Sequence, residues 1–464
     1  MGLTTGYFVD RATPRDLANG RRQHRRWMMD DTVMLLLLCV SGHVFFTEGN
    51  QAQAGLMATA VIFAGLLEWK KRFSLTPALM AAVVVFALIH VWQAVSFRYL
   101  PLVTFVAFFG RLYVAYAAVC LIRDFPRTYV RVMFVICLVS FGFYVPDQLC
   151  RAAGIDFRGC FEVLHRLFGA NLEHRYSIGL YNFQIKAPYR NAAFFWEPGA
   201  FAGFTLVGIV FLALLQPPSR PREYRATLLV FCVSILTTFS TMGYMVLPIA
   251  LGLHAKRVIS LSRGKTQRGL LLLSLLPAAY LVGMSVWKLE FMSEKVRTEL
   301  QSVESREFTG RGASRLSSFF FHVPYIKERP VAGWGKNLKT YLALDPYIDA
   351  NPPAGNGMLR FIHEMGLAGL CTFLLLAAGS FYSLTGRHLL ETVLIMVIIL
   401  LTLQGEEFLT GGLYLAFMFL TRNSLVHSGP GGAALVPRTS MANMGPRAAP
   451  RRKHVVSTSV HLPV

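Results

Sequence analysis

Charge is scarce in this sequence of 464 residues. Only 15% are Asp, Glu, Lys or Arg, where a soluble chain carries about 25%. Acids are scarcest, 25 against 46 Lys and Arg. The seven cysteines include no CxxC pair, and no zinc-ligand spacing, phosphate-binding P-loop, dinucleotide fingerprint or GxSxG elbow is present. Those absences exclude chemistry driven by ATP or a sugar nucleotide at a recognisable motif, and a serine-hydrolase elbow. No internal repeat is visible. The first 31 residues are polar and basic, with no small-residue cleavage site, so no cleavable signal peptide is expected.

Apolar residues fill the space that charge leaves. They make up 54% of the chain and gather in blocks such as Val33–Phe46, Leu75–Ile89, Ala200–Leu215, Leu270–Val286 and Val393–Leu403. Lipid cannot hydrogen-bond an exposed backbone, so long blocks almost free of charge read as spanning helices. The expected fold is an all-α polytopic membrane protein with about twelve transmembrane helices. The spans are expected near 32–47, 51–67, 75–95, 101–122, 132–146, 193–215, 226–240, 241–255, 269–287, 357–385, 388–404 and 408–421.

The formal charge of +21 does not point to nucleic acid, because its distribution has a simpler cause. With 1–31 and the tail after 421 placed in the cytoplasm, the cytoplasmic segments hold 27 of the 46 Lys and Arg, while the short outward turns hold almost none. That is the positive-inside pattern. The 226–255 region reads as two short helices turning near Ser240–Gly243, since basic residues flank both of its ends. The domain plan is a basic N-terminal tail (1–31), a membrane domain (32–421) and a tail (422–464) whose Gly, Pro, Ala and Arg content predicts no fixed structure.

Two long outward loops remain, about 147–192 and 288–356. Cys150 and Cys160 share the first; they either pair in an oxidising compartment or remain thiols, and spacing alone does not decide. In the second, Glu290–Glu307 alternates acids and bases at helical spacing, which predicts a surface helix.

Three outward clusters can carry chemistry. In Tyr189–Phe201, Glu197 precedes Pro198 where a span begins, so it is either an N-terminal cap or a buried base partnered by Arg190. In Thr309–Arg315, Arg311 and Arg315 share a helix face; guanidinium forks bind phosphate oxygens, although a solvated pair of charges fits the same spacing. After Pro352-Pro353, the residues Asn356, Arg360, His363 and Glu364 form a polar stripe on an apolar helix, which faces protein, a wet cavity or the headgroups. Gln404-Gly405-Glu406-Glu407 forms a weaker fourth cluster. Arg111, inside a span, needs a buried partner such as Glu197 or Glu407.

Phe195-Trp196-Glu197-Pro198-Gly199, the run from Gly310-Arg311 to Gly333-Trp334-Gly335, and Asn356 followed after nine residues by Gly366-x-x-Gly369 together resemble the bacterial O-antigen polymerase and ligase membrane proteins, including Wzy-type exopolysaccharide polymerases. The family's histidine falls at Gly355 here, with His363 nearby, which favours polymerase over ligase. The resemblance implies glycosyl transfer without a metal or other cofactor, from an undecaprenyl-pyrophosphate-linked oligosaccharide to a second lipid-linked repeat unit. The resemblance places this reaction at the periplasmic face of the inner membrane and implies a flippase and a chain-length regulator as partners. Arg190, Arg311, Arg315, Asn356 and Arg360 would hold the donor, with Glu197, His363 or Glu364 as base. A ligase acting on a lipid or protein acceptor uses the same donor. A lipid-linked saccharide transporter predicts broken helices or charges near mid-bilayer instead.

Overall fold

The structure is a computed structural model that describes residues 16–42, 49–70, 73–168, 171–172, 175–215, 221–261, 297, 315–336 and 356–421. Arg311, most of the expected 290–307 helix, the expected span at 269–287 and the C-terminal tail at 422–464 lie outside the described residues.

The described chain is mostly helical. In order it forms α1 (Asp16–Ser41), α2 (Gly49–Lys70), α3 (Pro77–Phe97), α4 (Leu102–Leu121), α5 (Phe125–Ala152) and α6 (Glu162–Phe168). Three short strands follow, β1 (Asn171–Leu172), β2 (Arg175–Ser177) and β3 (Asn182–Gln184). After them come α7 (Pro198–Leu214), α8 (Pro221–Thr237), α9 (Thr241–Leu261), α10 (Arg315–Glu328), α11 (Gly357–Leu384), α12 (Leu389–Leu403) and α13 (Gly412–Ala416).

Helix α3 shows why these elements belong in a bilayer. Thr76 caps it, accepting from Leu79 N at 3.3 Å, and Pro77 opens it. One face buries Phe86, Ile89, His90 and Gln93, while Met80, Val84, Leu88, Val91, Trp92 and Val95 lie exposed on the other. An exposed face that is apolar, over a buried face that carries the polar groups, is inside-out for water and correct for lipid.

Among the described residues α3, α4, α5 and α11 are long and apolar enough to cross a membrane, and α7, the Thr241–His254 part of α9 and α12 are shorter apolar helices. The described helices therefore do not give the expected twelve spans. One expectation fails on packing: 408–421 is no continuous helix but a 3-10 turn, α13 and a second 3-10 turn. Gly411-Gly412 interrupts the run, and Leu413 N donates to Ser41 Oγ at 2.8 Å. The stretch is apolar because protein surrounds it. Likewise α7 begins at Pro198, after a buried irregular segment, and is buried on every side from Pro198 to Leu212. The turn between α8 and α9 falls where the sequence predicts it, with α8 ending at Thr237 and α9 starting at Thr241.

Helix α1 starts well inside the expected polar tail. Its Asp31 accepts from Arg131 Nε of α5 at 2.9 Å, and the Arg131 guanidinium stands over Trp27. The expected loop at 147–192 is a folded cap instead. α5 continues through Pro146 to Ala152, and β1–β2–β3 form an antiparallel sheet with Tyr176 opposite Phe183. Ile178, Tyr181 and Phe183 make its core, flanked by Phe143, Phe157 and Phe161. All seven cysteines are thiols, Cys150 and Cys160 included.

Candidate functional site

The site is organised by a break in α11. Asn356 caps the helix, its side chain accepting from Leu359 N at 3.1 Å. Regular helix runs to Met365, and Gly366 then turns to φ 68, ψ 178, a conformation open essentially to glycine alone. Such a break orphans backbone groups on both sides. The segment after α10 satisfies them. Trp334 N and Gly335 N donate to the His363 and Glu364 carbonyls at 2.8 and 2.9 Å, and Leu367 N and Ala368 N donate to the Pro330 and Val331 carbonyls at 2.7 and 3.1 Å. Gln93 of α3 ties strap to helix, its amide reaching the Ala332 carbonyl at 2.6 Å and the Glu364 carbonyl at 2.8 Å. The Arg329 guanidinium stands against both the Phe97 and Trp334 rings, at 4.2 and 4.7 Å from their centres.

Charge collects beside this strap. Arg360 Nε lies 2.9 Å from Glu364, and its Nη1 pairs with Glu407. Arg111 of α4 and Lys336 of the strap both act electrostatically on Glu364. Glu364 is thus the carboxylate whose charge acts on Arg111, where the sequence offered Glu197 or Glu407. Glu364 pulls the Lys336 pKa up, but burial and the charges of Arg111 and Arg360 leave it below the ordinary lysine range. Burial pushes Glu407 up, and repulsion from Glu364 adds to it, outweighing the pull of Arg360 and Lys336.

The raised Glu407 value gives a pH prediction. The folded protein holds this proton more tightly than the unfolded chain does. The resulting stability is full below the ordinary glutamate pKa of about 4.3 and is lost as pH rises through the raised value. Glu407→Gln imitates the protonated form. Its melting temperature in detergent, relative to wild type, is expected to climb between about pH 4 and pH 8. A constant difference would show that Glu407 is ionised throughout.

The other expected site residues divide. His363 is buried among aromatic rings, stacked on Tyr325 at 4.9 Å, with its Nδ1 2.8 Å from Nδ1 of His322; one proton serves both nitrogens. Glu197 occupies the N-cap of α7, but its side chain makes no cap hydrogen bond and is exposed, so it is not the buried base. Arg190 donates from Nε to the Thr238 carbonyl at 3.0 Å and pins the α8–α9 turn. The buried polar residue of that segment is Asn191, whose amide donates to Ser140 and Thr237 hydroxyls, both at 3.2 Å. The carboxylate that packs against Gly199 at the start of α7 is Glu406, from the cluster at 404–407. Arg315 opens α10, and Arg311 is outside the described residues.

Arg360 and Glu364 of the stripe are thus brought together, while His363 turns to His322 and the aromatic rings and Asn356 is spent as the helix cap. Gln93, His322 and Lys336 also belong to the site, and no sequence motif marks them. A glutamine beside His90 within an otherwise apolar run was the available signal for the first. Lys336 directly follows the Gly333-Trp334-Gly335 turn. In comparison with known proteins, no family model and no curated protein sequence matches this chain.

Proposed function

We propose that this protein polymerises oligosaccharide repeat units carried on undecaprenyl pyrophosphate, at the periplasmic face of the bacterial inner membrane. The observation that supports this reading is the convergence of Arg111, Lys336 and Arg360, from three separate elements, on two carboxylates where α11 breaks. A diphosphate leaving group needs fixed cations that cost no reorganisation during reaction. In the proposed step an acceptor hydroxyl attacks the anomeric carbon, the bond from that carbon to the diphosphate oxygen breaks, and the lipid diphosphate leaves on the cations. The hydroxyl proton passes to a carboxylate. Glu407 suits that role better than Glu364, its side chain being 22% exposed against 5%. Arg311 and Arg315 are proposed as further cations for the donor.

The reading carries a multi-pass topology in the inner membrane with the basic N-terminal tail in the cytoplasm, and places a flippase and a chain-length regulator as partners. The test is complementation of a deletion strain. Arg111→Met and Lys336→Met are expected to cut polymer formation on the order of 100-fold at normal protein levels. Long surface polymer of normal length distribution in both variants would sink the proposal. Unattached long polymer in the deletion strain would mark a ligase instead.

The break in α11 favours one second reading, transport, since discontinuous helices line many transporter sites. Against it, 18 residues of α11 follow Gly366, about 27 Å of helix, which places the break toward one rim of a core about 30 Å thick. Elongation of lipid-linked repeat units by purified protein in detergent, without vesicles, excludes transport as the sole role.

A further inference from the structure

The cap over the end of α5 contains a cleft of about 380 Å³, lined by Asp147, Arg151, Asp156, Phe157 and Arg158 together with Gly154 and Ile155. That is within the size range of small-ligand sites. None of these residues belongs to the α11 site.

The cleft is built around one unfilled gap. Asp147 has a side chain only 5% exposed; its Oδ2 accepts from Arg151 Nε at 2.8 Å and from Gln148 Nε2 at 3.3 Å. Its Oδ1 faces Arg158 Nε at 3.9 Å, too far for a hydrogen bond. Arg158 is held rigidly by the Gln184 carbonyl, 3.0 Å from Nη2, and by the Phe183 ring. Its Nε is buried and donates to nothing in the structure. A buried charged donor without an acceptor is costly, and so demands a partner. An oxygen within hydrogen-bond reach of both atoms fits the gap if it accepts from Nε and donates to Oδ1. Only a hydroxyl or water does both. A phosphate or carboxylate oxygen would meet Asp147 as a like charge, and an ammonium would meet Arg158.

We propose that this cleft binds a neutral saccharide, with one sugar hydroxyl bridging Arg158 and Asp147 and the C–H face of the ring against Phe157. Two arginines and two aspartates leave the cleft near zero net charge, which suits a neutral polyol. The volume and the aromatic wall select a sugar over a lone water. The proposal rests on the polymerase reading only for the source of the sugar, a repeat unit or the growing chain.

The experiment uses full-length protein in detergent and saturation-transfer NMR with cellotetraose, maltotetraose and chitotetraose, plus a uronic-acid tetramer and inorganic phosphate. At least one neutral oligosaccharide is expected to bind. Asp147→Asn and Arg158→Met should each weaken it about tenfold or more, and Gly379→Ala, where an added Cβ meets nothing within 4 Å, should leave it unchanged. Phe157→Leu is the second probe if Arg158→Met fails to fold. No neutral binding up to about 20 mM, tighter binding of uronate or phosphate, or binding indifferent to these variants overturns the proposal. The two readings fail separately: a protein that polymerises but binds no free saccharide sinks the cleft alone. One that binds saccharide but never elongates sinks the polymerase reading alone.

Discussion

Gly366→Ala is expected to be the most damaging single-methyl change in the described chain, removing the strap from α11 and destabilising the protein by about 3 kcal/mol or more. Two independent costs add. At φ 68, ψ 178 a side-chain-bearing residue is strained whatever surrounds it, by about 1–3 kcal/mol. In addition, a Cβ built there overlaps the Val331 carbonyl and crowds Ala332 N. Relief by moving the strap breaks the four backbone bonds between 330–335 and 363–368. Gly333→Ala has the same character in milder form, with φ 67 and a Cβ 2.6 Å from the His363 carbonyl oxygen. Gly379→Ala is the control, since its Cβ meets nothing within 4 Å and an alanine favours helix. Thermal unfolding of the three variants in one detergent checks the order. Equal melting temperatures for Gly366→Ala and Gly379→Ala would mean that the break is not part of the folded protein.

That break also shows where sequence reading stops. The start of α11 is legible because Pro352-Pro353 ends the preceding segment and Asn356 is a good cap. The Arg360–Glu364 pair is legible because four residues separate them on a helix. Gly366 is conspicuous in sequence, yet its extended conformation depends on hydrogen bonds from residues more than thirty positions upstream, which no local pattern encodes. The same limit explains the misplaced last span: an apolar run from Phe408 to Leu420 reads alike whether lipid or protein surrounds it, and here it is protein. The cap over α5 escaped because strands of two or three residues are too short to show a period. At Glu197 the helix start is legible and the burial is not. The cap position follows from Pro198, whereas burial depends on Asn191 and Glu406 taking the interior positions instead.

Arg360→Met is expected to produce the second large loss, in stability and in polymer formation together. Arg360 answers Glu364 and Glu407 at once, with Glu364 only 5% exposed. Removing one partner of a buried pair leaves an uncompensated charge and costs about 3–5 kcal/mol. Arg111 and Lys336 remain nearby and offset part of this, so the lower end of that range applies. The double variant Arg360→Met/Glu364→Leu separates structure from function. It removes the cation together with the carboxylate most buried beside it, so stability should recover by about 1–3 kcal/mol relative to Arg360→Met, the range of coupling between contacting residues. Polymer formation should not recover, because the guanidinium proposed to receive the diphosphate is absent in both. Chain-length distribution and melting temperature measured on the same preparations decide the matter. If the double variant regains stability and polymer alike, Arg360 serves only to neutralise Glu364, and the diphosphate falls to Arg111 and Lys336 alone.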